Sequence, residues 1–299
     1  MDSILKYLAN QNNNLIKNNF TFRYNSNNNK VAVIVEPRKH PWLQMIVNNI
    51  MSNLGDQWNL QIYSHYPDYI QSLFPNCTYR IVHIEYDNLT PTNYSGLFRN
   101  LDFWNCINEE HILIFQTDSI IMNNRIIDNT LLKYPFVGGI YHYYIDSKSR
   151  VSDNYVSRSG LIQLINHTDN LIQLHNSPSR HFSINGGFSL RSKQAMIDCI
   201  KNISINTIIN HRKKYGMDIS YFDYIINNRK EFISEDVFFQ NALDILGYEL
   251  PDIDQCSDFC ENLSYYNFNS SSTGLHNITP FFVNRFKEEI ETKFDTLTN

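Results

Sequence analysis

The sequence has 299 residues, of which 42% are hydrophobic and 18% are charged, and its formal net charge at pH 7 is -5. This length fits one large α/β domain or two small ones, and the weak negative charge excludes the overall basic character with which proteins attract nucleic acid. The sequence shows no signal-peptide pattern and no apolar stretch that is long enough to span a membrane. The five cysteines are scattered without zinc spacing, which predicts free thiols. We therefore expect a cytoplasmic protein with no nucleic-acid partner and no membrane span.

The first 30 residues are polar and rich in asparagine, with asparagine runs at 12–14 and 27–29. Segments of this composition are often mobile, although Leu5, Leu8 and Leu15 could form a loose helix that docks on the folded body. We therefore expect a partly mobile N-terminal segment over residues 1–30 and a folded domain from residue 31 onward.

Strands and helices are predicted to alternate between residues 31 and 115. Apolar residues at helical spacing predict one helix that starts at Pro41 and is closed by Gly55. A second helix is predicted to start near Asn93 and to carry an apolar face from Leu97 to Ile107. Short apolar runs predict strands at Val31–Val35, Leu60–Tyr63, Arg80–Ile84 and Ile112–Phe115. This alternation is typical of parallel βαβ units and therefore of an α/β fold.

The pattern is weaker in the second half of the chain. We predict a short helix at Ile126–Tyr134 and a strand at Phe136–Ile140. Residues 146–180 are polar and weakly patterned, which favours an insertion or a loop. Two glycines after an asparagine predict a tight turn at Asn185–Gly187, which is followed by a helix at Arg191–Lys201.

Polar side chains directly follow the buried strand Ile112–Phe115. Gln116, Thr117 and Asp118 stand where this strand ends, and ligands of open α/β sheets bind at the carboxyl ends of strands. An acidic oxygen ligand such as Asp118 can hold a hard cation against a diphosphate. The alternative is an ordinary turn, since Thr-Asp-Ser is common turn chemistry.

Two adjacent carboxylates, Glu235 and Asp236, open a helix that we expect to begin after Ser234 and to end at Gly247. Acidic residues in a first turn are favoured by the helix dipole, which explains them structurally. A general base is the functional alternative. A last, aromatic helix is predicted from about Pro280.

Glycine-rich phosphate loops are absent from the sequence. No Gly-x-Gly-x-x-Gly follows the first strand, and no Gly-Lys-Ser/Thr loop occurs anywhere. This excludes an ordinary dinucleotide-binding fold and a P-loop enzyme. A bound nucleotide would then be held by side chains and a metal ion.

The order of several short motifs resembles that of the GT-A glycosyltransferases. It most closely resembles a family catalogued as a domain of unknown function, with members in large DNA viruses, bacteria and fungi. The motifs are Val33–Arg38, Trp58–Tyr63, Phe103–Trp104, Phe115–Ser119, Asn185–Arg191, Glu235–Phe239 and Gly274–His276. They cover most of the chain, and the resemblance depends on their order and spacing rather than on any single motif.

The resemblance implies a single-domain GT-A fold over residues 31–299, with a Rossmann-like, mixed and mostly parallel sheet flanked by helices. Residues 31–120 would form the nucleotide-binding half, and residues 121–299 the acceptor half. It also implies transfer of a sugar from a nucleotide-diphosphate donor, with a UDP-sugar favoured, to a glycan, protein or lipid acceptor. The implied cofactor is Mn²⁺ or Mg²⁺, and a viral protein would act in the host cytoplasm.

The implied metal site departs from the usual motif. Gln116-Thr117-Asp118 takes the place of the Asp-x-Asp motif, and Gln116 replaces the first acid. Asp118 is therefore the first expected metal ligand, and His276 matches the late histidine that completes the site in several such enzymes. With a single carboxylate, the metal should be bound more weakly or need another ligand.

Other residues receive roles from the same resemblance. Glu36 and Arg38 should lie near the nucleotide, where Arg38 could pair with a phosphate; a surface salt bridge is the alternative. Asp236, with Glu235 as second candidate, should abstract the proton of the acceptor hydroxyl, which predicts inversion at the anomeric carbon. The expected donor-binding residues are Glu36, Arg38, Tyr63, Ser64, Gln116, Thr117, Asp118, Asn185, Gly186 and Gly187.

Two other functions stay open. A nucleotidyltransferase would share the α/β sheet and the metal-bound acid, although the segment Glu36–His40 lacks the glycine-rich basic loop that such enzymes normally have. An inactive carbohydrate-binding or structural protein on the same fold would account for Gln116 in place of an acid.

Overall fold

In a computed structural model, residues 2–122, 127, 129–143, 182–214, 219, 222, 233–262, 272–278 and 287–298 are described. The strands are β1 Lys30–Val35, β2 Asn59–Ser64, β3 Arg80–His83, β4 His111–Phe115, β5 Ile120–Ile121, β6 Phe136–Tyr143, β7 Phe182–Ser192, β8 Cys260–Asn262 and β9 Gly274–His276. The helices are α1 Asp2–Lys17, α2 Leu43–Leu54, α3 Pro67–Leu73, α4 Pro91–Phe98, α5 Leu101–Asn105, α6 Lys193–Asn202, α7 Ile205–Lys214, α8 Glu235–Ile245, α9 Ile253–Phe259 and α10 Lys287–Thr298, with a 3-10 helix at Asn129–Lys133.

Within this part of the chain, six strands form a mixed sheet in the order β3-β2-β1-β4-β7-β6. β1 pairs in parallel with β2 and β4, and β2 pairs in parallel with β3, whereas β7 runs antiparallel to both β4 and β6. The prediction of an α/β fold with a mixed sheet flanked by helices is thus confirmed. Since Ile34 is paired with Phe115, the residues that follow β1 and β4 lie at the same edge of the sheet.

Both faces of the sheet are buried at its central strands β1 and β4. On β1, Ala32 and Ile34 belong to the core that contains α2, whereas Val31, Val33 and Val35 belong to the core that contains α8. A strand that is covered on both faces has no need for polar residues, which explains the uninterrupted apolar runs of β1 and β4.

A second, smaller sheet has the order β5-β9-β8. β5 follows β4 after the segment 116–119 and pairs antiparallel with β9, with Ile120 opposite Leu275. This pairing brings the late strand β9, and with it His276, beside the polar segment that follows β4.

The N-terminal segment forms the docked helix that its leucines allowed. In α1, Ile4 and Leu8 are buried, and the Tyr7 ring lies 5.1 Å from the ring of Phe294 on α10. The Asn48 amide of α2 also donates a hydrogen bond of 2.7 Å to Asn12. α1 is therefore part of the packed body.

The predicted strands of the first half are confirmed to within one residue, but the helix predicted from Asn93 to Ile107 is wrong. It consists of two short helices, α4 and α5, which are separated at Arg99 and Asn100. The Asn100 side chain accepts a hydrogen bond from the backbone N–H of Asp102 and so caps α5. A side chain that caps a new helix favours an interruption over a continuous helix.

The tight turn predicted at Asn185–Gly187 is also wrong, because these residues lie inside the 11-residue strand β7. The register between β7 and β6 shifts twice, between Gly138 and Ile140 and again on the way to His142. The following helix, α6, starts at Lys193 rather than at Arg191. An Asn-Gly-Gly sequence therefore marks an irregularity within a strand here, rather than the end of one.

The other predicted elements of the second half are confirmed only in part or lie outside the described residues. A 3-10 helix at Asn129–Lys133 replaces the helix predicted at Ile126–Tyr134, of which residues 126 and 128 lie outside the described part. Residues 146–180 also lie outside it. α8 begins at Glu235 as predicted, although the Ser234 side chain makes no capping hydrogen bond. α10 is described from Lys287 onward, so the predicted start near Pro280 lies outside the described residues.

The free thiols predicted from the sequence are confirmed. All five cysteines are free thiols. Among the described residues, no helix combines the length and the apolar character that a membrane span requires.

Candidate functional site

Two adjoining cavities open at the edge of the sheet where β1 and β4 end. The first, of about 280 Å³, is lined by Val35, Glu36, Pro37, Arg38, Asn88, Leu89, Tyr94, Gln116, Thr117 and Asp118. The second, of about 350 Å³, is lined by Leu89, Pro91, Tyr94, Ser95, Gln116, Asn185, Gly186, Gly187, Ser234, Glu235, Asp236 and His276. Because both cavities share Leu89, Tyr94 and Gln116, they form one continuous cleft with two halves.

A charged pair borders the first cavity. The Glu36 carboxylate is buried and accepts three hydrogen bonds from Arg38: from Nε at 2.7 Å, from Nη2 at 2.8 Å and from the backbone N–H at 3.0 Å. The hydrogen bond with Glu36 also raises the pKa of the Arg38 guanidinium. Arg38 therefore forms the salt bridge that was expected as the alternative to pairing with a phosphate. Its side chain is 53% exposed and also borders the first cavity.

Three polar atoms converge where the two halves meet. The His276 Nε2 lies 3.2 Å from Gln116 Oε1 and 3.5 Å from Asp118 Oδ1. The Asp118 Oδ1 is buried and has no hydrogen-bond partner among the described residues. Ligand atoms around one small divalent cation are typically about 3 Å apart, because each lies about 2.1 Å from the metal. The His276 Nε2 therefore lies at about this spacing from both oxygens, and the three side chains bring donor atoms that could hold such a cation.

The environment of His276 favours its neutral form. Burial lowers the pKa of the imidazole, and the nearby Asp118 carboxylate opposes this effect. A metal ligand must be unprotonated, so a lowered pKa suits coordination. Within the described residues no group of three or more His, Cys, Asp or Glu side chains is placed to hold a metal ion. The candidate set therefore depends on the amide oxygen of Gln116 as its third ligand.

Gly187 makes room for this cluster. A Cβ atom at residue 187 would overlap the His276 imidazole and would lie 2.8 Å from Gln116 Oε1. The backbone of Gly187 is held in place by two hydrogen bonds: its N–H donates to Asn185 Oδ1 at 2.7 Å, and its carbonyl accepts from Ser119 Oγ at 3.3 Å. The three predicted wall residues, Asn185 to Gly187, thus do line the second cavity.

Asp236 is the carboxyl group of the second cavity whose protonation is most perturbed. Burial raises its pKa to about 7, and the neighbouring Glu235 carboxylate contributes to the rise. The N–H groups of Val237 and Gly186 and the charge of Arg191 act in the opposite direction. A carboxyl group with a pKa near 7 is partly ionised at neutral pH and can still accept a proton effectively, as a general base must.

Glu235, the second candidate base, is engaged elsewhere. Its Oε1 accepts a hydrogen bond of 3.0 Å from Arg191 Nη2, and both side chains are buried. The Arg191 guanidinium lies 5.2 Å, 4.9 Å and 5.7 Å from the ring centres of Phe98, Phe136 and Phe239 respectively. The structure thus presents Asp236 to the cavity and pairs Glu235 with an arginine beneath its wall.

Two predicted donor-binding residues do not line the cleft. The Tyr63 ring stacks on Phe103 at 4.8 Å, and its hydroxyl donates to the Phe103 carbonyl at 3.1 Å. Burial raises the pKa of this hydroxyl. Ser64 is fully buried. Strand ends alone could not show that Tyr63 turns into the core between the sheet and α5.

The structure adds lining residues that sequence reasoning missed. Tyr94 and Ser95 of α4 line the second cavity, and Tyr94 and Asn88 line the first. The Tyr94 hydroxyl is buried, and this burial raises the pKa of the phenol. No sequence signal marks α4 as a wall, whereas Arg191 could have been noticed as a charge directly after the apolar run Phe188–Leu190.

The part of the chain that contains most of the cleft residues matches a sequence family. The sequence model of a family described as "Protein of unknown function (DUF5672)" matches residues 78–276, about two thirds of the chain. The match includes Gln116, Asp118, Asp236 and His276, but it begins after β1 and β2 and so leaves out Glu36 and Arg38. No curated protein matches the chain. The length and position of this match show that the chain belongs to the DUF5672 family.

Proposed function

We propose that the protein is a metal-dependent glycosyltransferase with a GT-A fold, which moves a sugar from a nucleotide-diphosphate donor to a hydroxyl acceptor. The donor that we favour is a UDP-sugar, and the acceptor is a glycan, a protein or a lipid. The observation that carries the proposal is the composition of one cleft. Asp118 and His276 lie where its halves meet, and Asp236, a carboxyl group with a pKa near 7, lines the second half.

The first half of the cleft suits the nucleotide. It lies beyond the carboxyl ends of β1 and β4, where open α/β sheets bind their ligands. Arg38 is half exposed there and can turn a guanidinium N–H towards a phosphate oxygen, while Glu36 keeps its position. Thr117, whose hydroxyl lies 3.5 Å from Glu36 Oε2, is a further polar group of this wall.

A divalent cation, Mn²⁺ or Mg²⁺, would be held by Asp118, His276 and the amide oxygen of Gln116. When bound, it would neutralise the negative charge that develops on the diphosphate leaving group. These side chains fit such an ion because Asp118 Oδ1 has no hydrogen-bond partner among the described residues and because Gly187 leaves room for the His276 imidazole beside Gln116. The neutral amide replaces one carboxylate, so we expect weaker metal binding than in a site with two acids.

The second half would hold the sugar and the acceptor. Its wall is the Asn185–Gly187 segment, and Asp236 faces the same space. In the proposed reaction Asp236 takes the proton of the acceptor hydroxyl while the acceptor oxygen bonds to the anomeric carbon. The bond from that carbon to the diphosphate oxygen breaks, and its electron pair leaves with the nucleoside diphosphate. A direct attack of this kind inverts the anomeric carbon.

Ligand-induced stabilisation tests the donor site. A ligand that binds only the folded state raises the melting temperature. We expect one nucleoside diphosphate, or its sugar derivative, to raise it in the presence of Mn²⁺ and much less without the metal. Asp118→Ala should lose the metal-dependent shift. Asp56→Ala, an exposed acid in the turn before β2, should keep it.

The same experiment separates the competing functions. A live glycosyltransferase releases a nucleoside diphosphate from the donor that gives the shift, whereas a nucleotidyltransferase releases pyrophosphate from a nucleoside triphosphate. Absence of a shift with every nucleotide tested would refute the proposal and favour an inactive binding or structural protein.

A further inference from the structure

A buried arginine that does not itself line the second cavity contacts two residues that do, Gly186 and Glu235. Arg191 stands on β7, opposite Ile112 of β4 and Phe136 of β6, and its side chain is fully buried. Three phenylalanine rings, from α4, β6 and α8, surround the guanidinium within 6 Å of its centre. An arginine in such a place has lost its water and must be compensated by hydrogen bonds.

The hydrogen bonds of Arg191 converge on two elements of the cleft. Its Nη2 donates to Glu235 Oε1 at 3.0 Å, in the first turn of α8, and to the Gly186 carbonyl at 3.1 Å, in the wall. Its Nε donates to Ser189 Oγ at 3.0 Å, and the Ser189 hydroxyl donates to the same Gly186 carbonyl at 2.8 Å. One side chain therefore connects the wall with the helix that carries Asp236.

We infer that Arg191 is a positioning residue of the proposed transfer reaction. Through Glu235 and the Gly186 carbonyl, it holds the first turn of α8 against the glycine wall, so that the Asp236 carboxyl faces the cleft. This inference rests on the proposed function only where it names a transfer reaction. The connection between the glycine wall and α8 is a property of the folded chain. Glu235 then acts as the partner of Arg191 rather than as a base.

The stability of the fold alone does not account for such a pair. Replacing a buried ion pair with well-packed apolar residues is often neutral or even stabilising, whereas removing one partner is costly. The chain also contains a second arginine–glutamate pair away from the cleft. The Arg80 Nη1 lies 3.6 Å from Oε2 of the buried Glu109, near the amino ends of β2 and β3, and the Arg80 side chain is 22% exposed. It provides a control in which the same charge is removed from an ion pair whose residues do not line the cleft.

The first test compares Arg191→Met with Arg80→Met. Both should lower the free energy of unfolding, but only Arg191→Met should lower kcat, by tenfold or more, while nucleotide affinity changes little. Arg191→Lys should recover part of the rate, because it restores the charge without the full set of hydrogen bonds. Equal kcat in the two methionine variants would refute the inference and leave Arg191 a purely structural residue.

A double variant covers the case in which Arg191→Met fails to fold. Arg191→Met with Glu235→Leu removes both charges, and we expect it to fold with near-normal stability and still to have low kcat. Wild-type kcat in this double variant would overturn the inference. The inference would also be overturned if the double variant lost as much kcat and as much stability as Arg80→Met does, and no more.

A second readout reports on the charges that face Asp236. These are Glu235 on the same helix and Arg191 on β7; Tyr94 of α4 and His276 of β9 are the other titratable groups of this half of the cleft. Removing Arg191 should raise the pKa of the Asp236 carboxyl by about 1, and Glu235→Gln should lower it by a similar amount. Opposite directions in the two variants support the inference; no movement in either contradicts it.

This titration distinguishes the inference from the proposed function. Carbon-13 NMR of the aspartate side chains, with Asp236→Asn to assign the signal, measures the pKa without any substrate. A wild-type protein that binds no nucleotide, but whose Asp236 signal shifts as expected in the two variants, would refute the glycosyltransferase proposal and retain the role of Arg191 in positioning Asp236.

Discussion

At the scale of single residues, Asp236 carries the chemical prediction that can be tested most directly. Its pKa is raised to about 7, chiefly by burial, and a general base must be unprotonated. We therefore expect kcat to rise with pH up to about 7 and then to level off. Asp236→Asn should abolish transfer at every pH while nucleotide binding stays intact. Near-normal transfer by Asp236→Asn would refute the assignment of the base.

The Asp236 carboxyl group also makes the stability of the fold depend on pH, with lower stability at pH 7 and above than at acidic pH. Since its pKa is raised from the ordinary 3.8 to about 7, the folded state holds the Asp236 proton more tightly than the unfolded state does. Its contribution to stability is therefore present at low pH and disappears as pH rises to about 7. Between pH 5 and pH 8, wild type should lose about 3 kcal/mol relative to Asp236→Asn. Urea unfolding at both pH values measures the difference, and equal pH dependence in the two proteins would contradict it.

Gln116 decides how strongly a metal ion would bind. Its Oε1 lies 3.2 Å from His276 Nε2 but brings no charge, whereas Asp118 brings one. Gln116→Glu keeps the length of the side chain and adds a carboxylate, so it should lower the Mn²⁺ concentration that gives half of the nucleotide-induced thermal shift. Asp118→Asn should raise that concentration. Unchanged Mn²⁺ dependence in both variants would exclude these residues as ligands.

At the scale of elements, close packing determines the conformation of β7 against the turn preference of its Asn-Gly-Gly residues. A Cβ at residue 187 would overlap the His276 imidazole, so we expect Gly187→Ala to displace β9, to lose the metal-dependent thermal shift and to cost about 1–3 kcal/mol of stability. Gly96→Ala is the matched control. Gly96 lies in α4, and a methyl group added there would have no other atom within 4 Å, so alanine should be neutral or slightly stabilising. A Gly187→Ala protein with a normal metal response would contradict the crowding argument.

The same strand shows what the sequence could and could not predict. The strands β1 and β4 were predictable from their continuous apolar runs, and α2 from its apolar residues at helical spacing, because these patterns reflect the burial of each segment. The strand conformation of Asn185–Gly187 was not, since local preference favours a turn and the groups that make glycine necessary, Glu235 and His276, are distant in the sequence. The split between α4 and α5 escaped notice because Asn100 lies within an otherwise helical apolar pattern.

The residues of the candidate site also differ in whether the sequence could predict their position. Position at a strand end was enough to place Asp118 beside the cleft, and the resemblance supplied Asp236 and His276. The inward turn of Tyr63 and the pairing of Glu235 with Arg191 depend on contacts between distant segments, which no local pattern records. Sequence therefore identified the groups at the edge of the sheet better than those beneath it.

At the scale of the whole molecule, α1 is connected to the cleft through side-chain amides. The Asn49 amide donates to Gln11 of α1 at 2.9 Å and to the Ile121 carbonyl at 3.1 Å, and the Asn49 Oδ1 accepts from the Ile121 N–H at 2.8 Å. Ile121 lies three residues after Asp118. A fully buried asparagine thus supports β5 from the side of the helix layer, and α1 completes the cover over it.

Substitutions in α1 should therefore affect the whole domain. Leu8 is buried, so Leu8→Ala should lower the free energy of unfolding by about 2–4 kcal/mol, whereas Ile16→Ala, at a residue that is 51% exposed, should change it by less than about 0.5 kcal/mol. Because β5 continues the segment that carries Asp118, removal of residues 2–18 should both lower the melting temperature and weaken the metal-dependent thermal shift. If the truncated protein matched wild type in both respects, the N-terminal segment would be a dispensable, mobile extension, as its asparagine-rich composition first suggested, and the amide contacts of Asn49 with Ile121 would be sufficient without α1.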